Sequence, residues 1–159
     1  MLDNQMKTCG RSLEVCAGDL RSVYAAREGG ASRVELCSGL AEGGMTPSAG
    51  LVRAAVAAGG IAVNVLIRPR PGDFVYGEDE ARVMIDDIAM AVDAGVHGVV
   101  IGALKPDGNI DLPLVRRLVE AARGKSVTFH RAFDLCRDPF EAIGQLMDLG
   151  IERLLTSGQ

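Results

Sequence analysis

No apolar run in this sequence approaches the ~20 consecutive residues that a membrane-spanning helix requires. The opening stretch, MLDNQMKTCGRS, lacks the apolar segment of a secretory signal. No basic cluster interrupts a chain of net charge −4, so nucleic acid is not an expected partner. The phosphate-loop pattern Gly-x-x-x-x-Gly-Lys is absent as well. Without a signal, Cys9, Cys16, Cys37 and Cys136 point to a reducing cytoplasm rather than to a disulfide framework. These absences leave a cytoplasmic protein of 159 residues, enough for one domain or part of one.

What is present is a repeating phrase of apolar strand, polar loop, amphipathic helix and glycine. Strands are predicted at Leu13–Cys16, Arg33–Cys37, Ala62–Ile67, Gly98–Ile101, Ser126–His130 and Glu152–Leu155. Helices are predicted between them, at Asp19–Glu28, Pro47–Ala58, Glu78–Ala94, Asp111–Ala122 and Pro139–Leu149. Thr46-Pro47 and Asp138-Pro139 each place an N-cap acceptor before a proline that suits the first helical position. Asp138 with Glu141 also fits a capping box. Gly29, Gly59, Gly95, Gly124 and Gly150 supply the stops.

Strict alternation of strand and helix implies an α/β fold with right-handed crossovers. Side-chain alternation chooses between an open doubly wound sheet and a barrel. Glu14 and Cys16 share one face of the first strand, and Glu35 and Cys37 share the same face of the second. Helices on both faces of a sheet would bury those carboxylates against apolar side chains. A TIM-type (β/α) barrel instead has an inner face that collects polar groups near its C-terminal mouth. The expected fold is therefore an incomplete barrel of about six strands and five helices. Residues 1–12 are read as a flexible N-terminus and residues 13–159 as the barrel domain. A closed barrel needs eight units and roughly 250 residues, so the expectation is a truncated chain. Its first and sixth strands would present unpaired edges that favour self-association into a homo-oligomer.

The duplicated acid-x-thiol pair is the first chemical signal. Glu14-Val15-Cys16 recurs as Glu35-Leu36-Cys37, so two thiols stand at equivalent points of adjacent strands ~4.8 Å apart. Soft thiolates select Cu(I) or zinc, and a pair suits low-coordinate Cu(I) better than a four-ligand zinc site. That spacing also lies inside the disulfide window, and free cysteines often simply pack. The second signal is a set of charged groups at the C-terminal ends of the strands. Arg68, Arg70, His130 and Arg131 join Glu14 and Glu35 in a composition suited to a small anionic molecule, with His130 as acid–base. The bland reading is an ion-pair network without turnover. His97 is expected in a solvated turn, Cys136 to be incidental, and Met84, Met90 and Met147 to lie in the core. Met45 is a weak third-ligand candidate.

Several runs carry a resemblance. Leu13-Glu-Val-Cys-Ala, Arg33-Val-Glu-Leu-Cys-Ser-Gly-Leu with Glu42-Gly-Gly-Met-Thr-Pro-Ser, Ile67-Arg-Pro-Arg with Gly72-Asp-Phe-Val-Tyr, Val127-Thr-Phe-His-Arg-Ala-Phe-Asp and Leu155-Thr-Ser-Gly resemble the CutC copper homeostasis proteins, most closely the bacterial branch. The likeness implies a cytoplasmic TIM-type barrel that handles copper, with Cu(I) bound by Cys16 and Cys37. It adds Asp134 to the candidate catalytic set of Glu14, Glu35, Arg68 and His130, and Ser157 to the substrate-binding set of Arg70 and Arg131. Where this chain stops, the family continues with a glycine-rich segment and two more units. The leading expectation is a Cu(I)-binding homeostasis protein. The alternatives are a barrel enzyme acting on a small anion and an inactive fragment.

Overall fold

The computed structural model describes residues 11–158. Cys9 and nearly all of the predicted N-terminal segment lie outside them. Six strands alternate with five helices: β1 (Glu14–Ala17), α1 (Leu20–Glu28), β2 (Arg33–Leu36), α2 (Ala49–Ala58), β3 (Ala62–Leu66), α3 (Glu78–Asp93), β4 (Gly98–Ile101), α4 (Leu112–Ala121), β5 (Ser126–Phe129), α5 (Pro139–Asp148) and β6 (Arg153–Leu154). Short 3-10 turns at Leu40–Glu42 and Arg131–Leu135 sit in the loops after β2 and β5. The strands form one parallel sheet in the order β1-β2-β3-β4-β5-β6. The architecture is an incomplete TIM-type barrel.

The two faces of the sheet have different fates, as the alternation requires. Val34, Leu36, Val63, Val65, Val99, Ile101, Val127 and Phe129 pack in the main core with helix residues such as Val52, Met84, Ile88 and Leu118. Fully burying each such side chain contributes roughly 1.5–3 kcal/mol. The opposite face carries Glu35, Asn64, Thr128 and a small separate cluster of Cys37, Leu66 and Val100. One face is therefore sealed by helices, and the other holds polar groups at the concave side.

Local chemistry sets most element ends where expected. Asp19 caps α1 by accepting from Ser22 N at 2.7 Å, and Asp138 caps α5 by accepting from Phe140 N and Glu141 N. Glu141 sends its carboxylate forward to Gln145 Nε2 (2.8 Å), so only one half of the expected capping box is seen. The start of α2 differs. Its N-cap is Ser48, which accepts from Leu51 N, while the Thr46 hydroxyl accepts from Arg68 N at 2.9 Å. Thr46 is thus committed to tying the β2–α2 loop to the end of β3. The first helix stop also shifts, from Gly29 to the left-handed Gly30. Met147, expected in the core, is 69% exposed.

Candidate functional site

The C-terminal ends of β1, β2, β3 and β5 converge on a cavity of about 440 Å³. Its wall includes Cys16, Glu35, Arg68, Phe74, His130 and Asp134, and the exposed Arg131 stands at its rim. This is the C-terminal face of the barrel, where the loops that follow the strands gather.

Arg68 organises the mouth. The guanidinium donates through NH1 to the carbonyls of Glu42 and Gly44, each at 2.9 Å, and through NH2 to the carbonyl of Gly72 at 2.8 Å. A planar fork with several donors can serve both loops at once, which a lysine cannot do. The β2–α2 loop approaches so closely because Gly43 and Gly44 have φ of 82° and 88°. A Cβ on Gly44 would stand 2.8 Å from Leu66 Cδ2. The guanidinium lies over the Phe74 ring at 5.1 Å. Among the described residues no carboxylate forms an ion pair with it, and its Nε is buried without a hydrogen-bond partner.

His130 is 5% exposed and is held by shape as well as by hydrogen bonding. Its Nδ1 accepts from Ala132 N at 3.1 Å, and its ring centroid lies 4.8 Å from that of Phe74. Gly102, at the end of β4, leaves the space the imidazole occupies: a Cβ there would fall 2.2 Å from Cε1. Burial, reinforced by the Arg68 charge, pushes the imidazole down to about 3. That shift keeps the ring uncharged at neutral pH, where the nitrogen that does not accept from Ala132 N carries the proton and can donate a hydrogen bond.

Glu35 is 8% exposed, and burial together with the Glu14 charge pushes it up to about 7. Cys16 Sγ donates to its Oε1 at 3.8 Å. The raised value has a sign. Between its ordinary value near 4.5 and about 7, the unfolded chain gives up the Glu35 proton while the folded chain keeps it, so the fold loses stability as pH rises. Glu35→Gln is therefore expected to stabilise the protein at pH 8 by about 1–3 kcal/mol and to do little at pH 4. Urea unfolding at the two pH values checks this, and equal effects at both would refute it.

The thiols are not placed as the repeat implies. The sequence repeat runs 21 positions from Glu14 to Glu35. The sheet, however, pairs Cys16 with Glu35, a separation of 19. The two-residue difference is the stagger that tilted barrel strands require. Cys37 consequently sits one pleat beyond Cys16 on the same face. Two residues of rise combined with the strand spacing separate the two Cα atoms by about 8 Å. That exceeds the disulfide window of ~4.4–6.8 Å. Cys16 is exposed, whereas Cys37 is buried and donates to Ala17 O. Both thiols are pushed up to about 11, chiefly by burial, with Glu35 adding to each and Cys16 acting on Cys37. Among the described residues, no group of three or more His, Cys, Asp or Glu side chains could hold a metal ion. The pair therefore lacks the further ligands that a four-ligand zinc site requires.

Other candidates are placed elsewhere. Glu14 lies at the N-terminal start of β1, in an ion pair with Arg33 at 2.6 Å. Arg70 ties its loop together through Asp73 (2.9 Å), Val75 O (2.7 Å) and Glu80, and it does not line the cavity. Asp134 accepts from the Thr156 hydroxyl, from Ser157 N at 2.9 Å and from Arg131 Nε at 3.3 Å. These bonds hold it below the usual carboxylate range and join the β5 loop to the segment after β6. Ser157 does not line the cavity and reaches the site through its backbone and side-chain hydrogen bonding to Asp134. Met45 lines a neighbouring groove, not this cavity. His97 is exposed, and its Nδ1 accepts from Val63 N at 3.1 Å. Sequence reasoning missed Phe74 and Gly102. Phe74 stood within a quoted run, and Gly102 had only its place at a strand end.

The model for the CutC family matches residues 11–159. This chain belongs to the CutC family. A CutC family protein of Parabacteroides distasonis is 55% identical over 150 residues, covering 94% of this chain and 62% of the relative. The chain spans about 60% of the length of such curated relatives. Among solved structures, the putative copper homeostasis protein CutC of Streptococcus agalactiae is 39% identical with a TM-score of 0.88, covering 94% of this chain and 74% of that one. A putative phosphonomutase of Burkholderia cenocepacia shares the fold alone, at 19% identity and a TM-score of 0.65, over 93% of this chain and 70% of its own. Among the described residues of this CutC chain, no helix is long and apolar enough to cross a membrane.

Proposed function

We propose that this CutC chain serves copper homeostasis by binding Cu(I) as cargo between Cys16 and Cys37, in the reducing cytoplasm. The observation that carries the reading is the placement of two free thiols, one pleat apart on the same face of adjacent strands. Sulfur–metal bonds of ~2.3 Å on either side of one ion bridge a gap too wide for a sulfur–sulfur bond. Soft thiolates prefer Cu(I) to hard cations, and both give up a proton when they bind. Cys16 stands open to the mouth while Cys37 lies in the small apolar cluster with Leu66 and Val100. An ion arriving at Cys16 would pass inward to Cys37 and lose contact with water. The solved CutC relative described as a putative copper homeostasis protein supports the copper part of this reading.

The test is anaerobic titration of the reduced protein with Cu(I) against a competing chelator. One copper per chain is expected, with binding weakened by a hundredfold or more in Cys16→Ser/Cys37→Ser, roughly the effect of losing both bonds to the ion. Equal affinity in the double variant would end the proposal.

A further inference from the structure

The same mouth holds two buried donors that copper would not use. The Ala132 N–H occupies His130 Nδ1, so the proton of the neutral ring is on Nε2. That Nε2 is buried and has no hydrogen-bond partner among the described residues. Arg68 Nε is in the same condition, on a residue that is only 7% exposed. Buried donors are normally satisfied, and each exception needs a reason. The charge presents the same problem. Arg68 gives three of its other four donors to backbone carbonyls, which leaves its positive charge without an ion-pair partner among the described residues. Of the acids lining the cavity, Asp134 is engaged with Thr156 and Ser157 and Glu35 with Cys16, while Glu42 gives Arg68 only its backbone carbonyl and forms no ion pair with it.

We propose that the cavity at the C-terminal mouth binds a small oxyanion, a carboxylate or phosphate group, that accepts from His130 Nε2–H and neutralises Arg68. The rigid surroundings suit binding. Gly102 and Phe74 fix the imidazole plane, and Phe74 also underlies the guanidinium. A cavity of about 440 Å³ is large enough for a small organic anion. Arg131 at the rim adds a second positive charge to attract it. The apolar wall from Leu66, Leu135 and Leu155 would cover the ligand's carbon skeleton. This site is independent of the thiols, although Cys16 shares its wall.

The experiment follows the His130 imidazole by long-range proton–nitrogen NMR while formate or phosphate is added at constant ionic strength, with chloride as the balancing salt. The expected result is an Nε2-protonated ring in the free protein and a saturable Nε2 shift with formate or phosphate. His130→Phe preserves ring packing over Gly102 and should weaken binding, read by calorimetry, by roughly tenfold or more. Cys16→Ser/Cys37→Ser should bind the anion unchanged, which separates this outcome from the fate of the copper reading. A shift that never saturates, or that chloride reproduces equally, means only an ionic-strength effect and overturns the proposal. Protonation at Nδ1 in the free protein would overturn it too, whatever the variants do.

Discussion

Arg68→Met should destabilise the fold by about 2–4 kcal/mol, chiefly through the Gly44 carbonyl, which loses a buried partner. The Glu42 and Gly72 carbonyls are partly buried and regain some hydration, so they contribute less each. Part of the loss is offset, because removing a guanidinium that lacks a counter-ion also removes its desolvation cost. Arg68→Lys distinguishes the two effects. It keeps the charge but cannot span three carbonyls from two loops, so it should fall at least as far as the methionine variant. Equilibrium urea unfolding gives both values. A change below about 0.5 kcal/mol in both variants, the size of an ordinary surface substitution, would show that the loops do not depend on this clamp.

Acid should weaken the protein through His130 by a few kcal/mol. Its folded value of about 3 lies below the ordinary 6.5, so the unfolded chain takes up a proton first as pH falls through 6.5. The His130 contribution is complete above 6.5 and disappears toward 3. Glu35 acts in the opposite direction between about 7 and 4.5 and masks part of the trend. Comparison with His130→Phe isolates the imidazole, because the variant lacks only that titration. The stability advantage of the wild type over the variant should shrink steadily from pH 7 to pH 4. A gap that does not vary with pH would mean that the ring takes up its proton in the folded protein as readily as in the unfolded chain, and the buried, neutral state assigned to it would fail.

The barrel was legible because period-two alternation survives in β2, β3 and β5. Val34 and Leu36 pack under the helices while Glu35 and Cys37 turn to the concave face, and this contrast alone separates a barrel from a doubly wound sheet. The grouping of Cys16, Glu35, Arg68 and His130 at one mouth followed from the same alternation. What did not follow was register. A repeat of 21 residues suggested matched thiols, but stagger belongs to the closed geometry of a tilted sheet and leaves no mark in a short motif. Roles were also underdetermined for the arginines. Arg68 and Arg70 are alike in sequence context, yet one turns into the mouth and the other toward Glu80 and Asp73. Gly102 shows a further limit. Its importance comes from a side chain 28 positions away that occupies the space of its missing Cβ.

The central claim is that two sulfurs from adjacent strands hold one copper. Copper K-edge X-ray absorption on the anaerobic, copper-loaded chain tests it most directly. The account predicts Cu(I) with two sulfur neighbours in near-linear arrangement, and loss of that signature in Cys16→Ser/Cys37→Ser. A first shell of nitrogen or oxygen, or three or more sulfurs drawn from several chains, would contradict it.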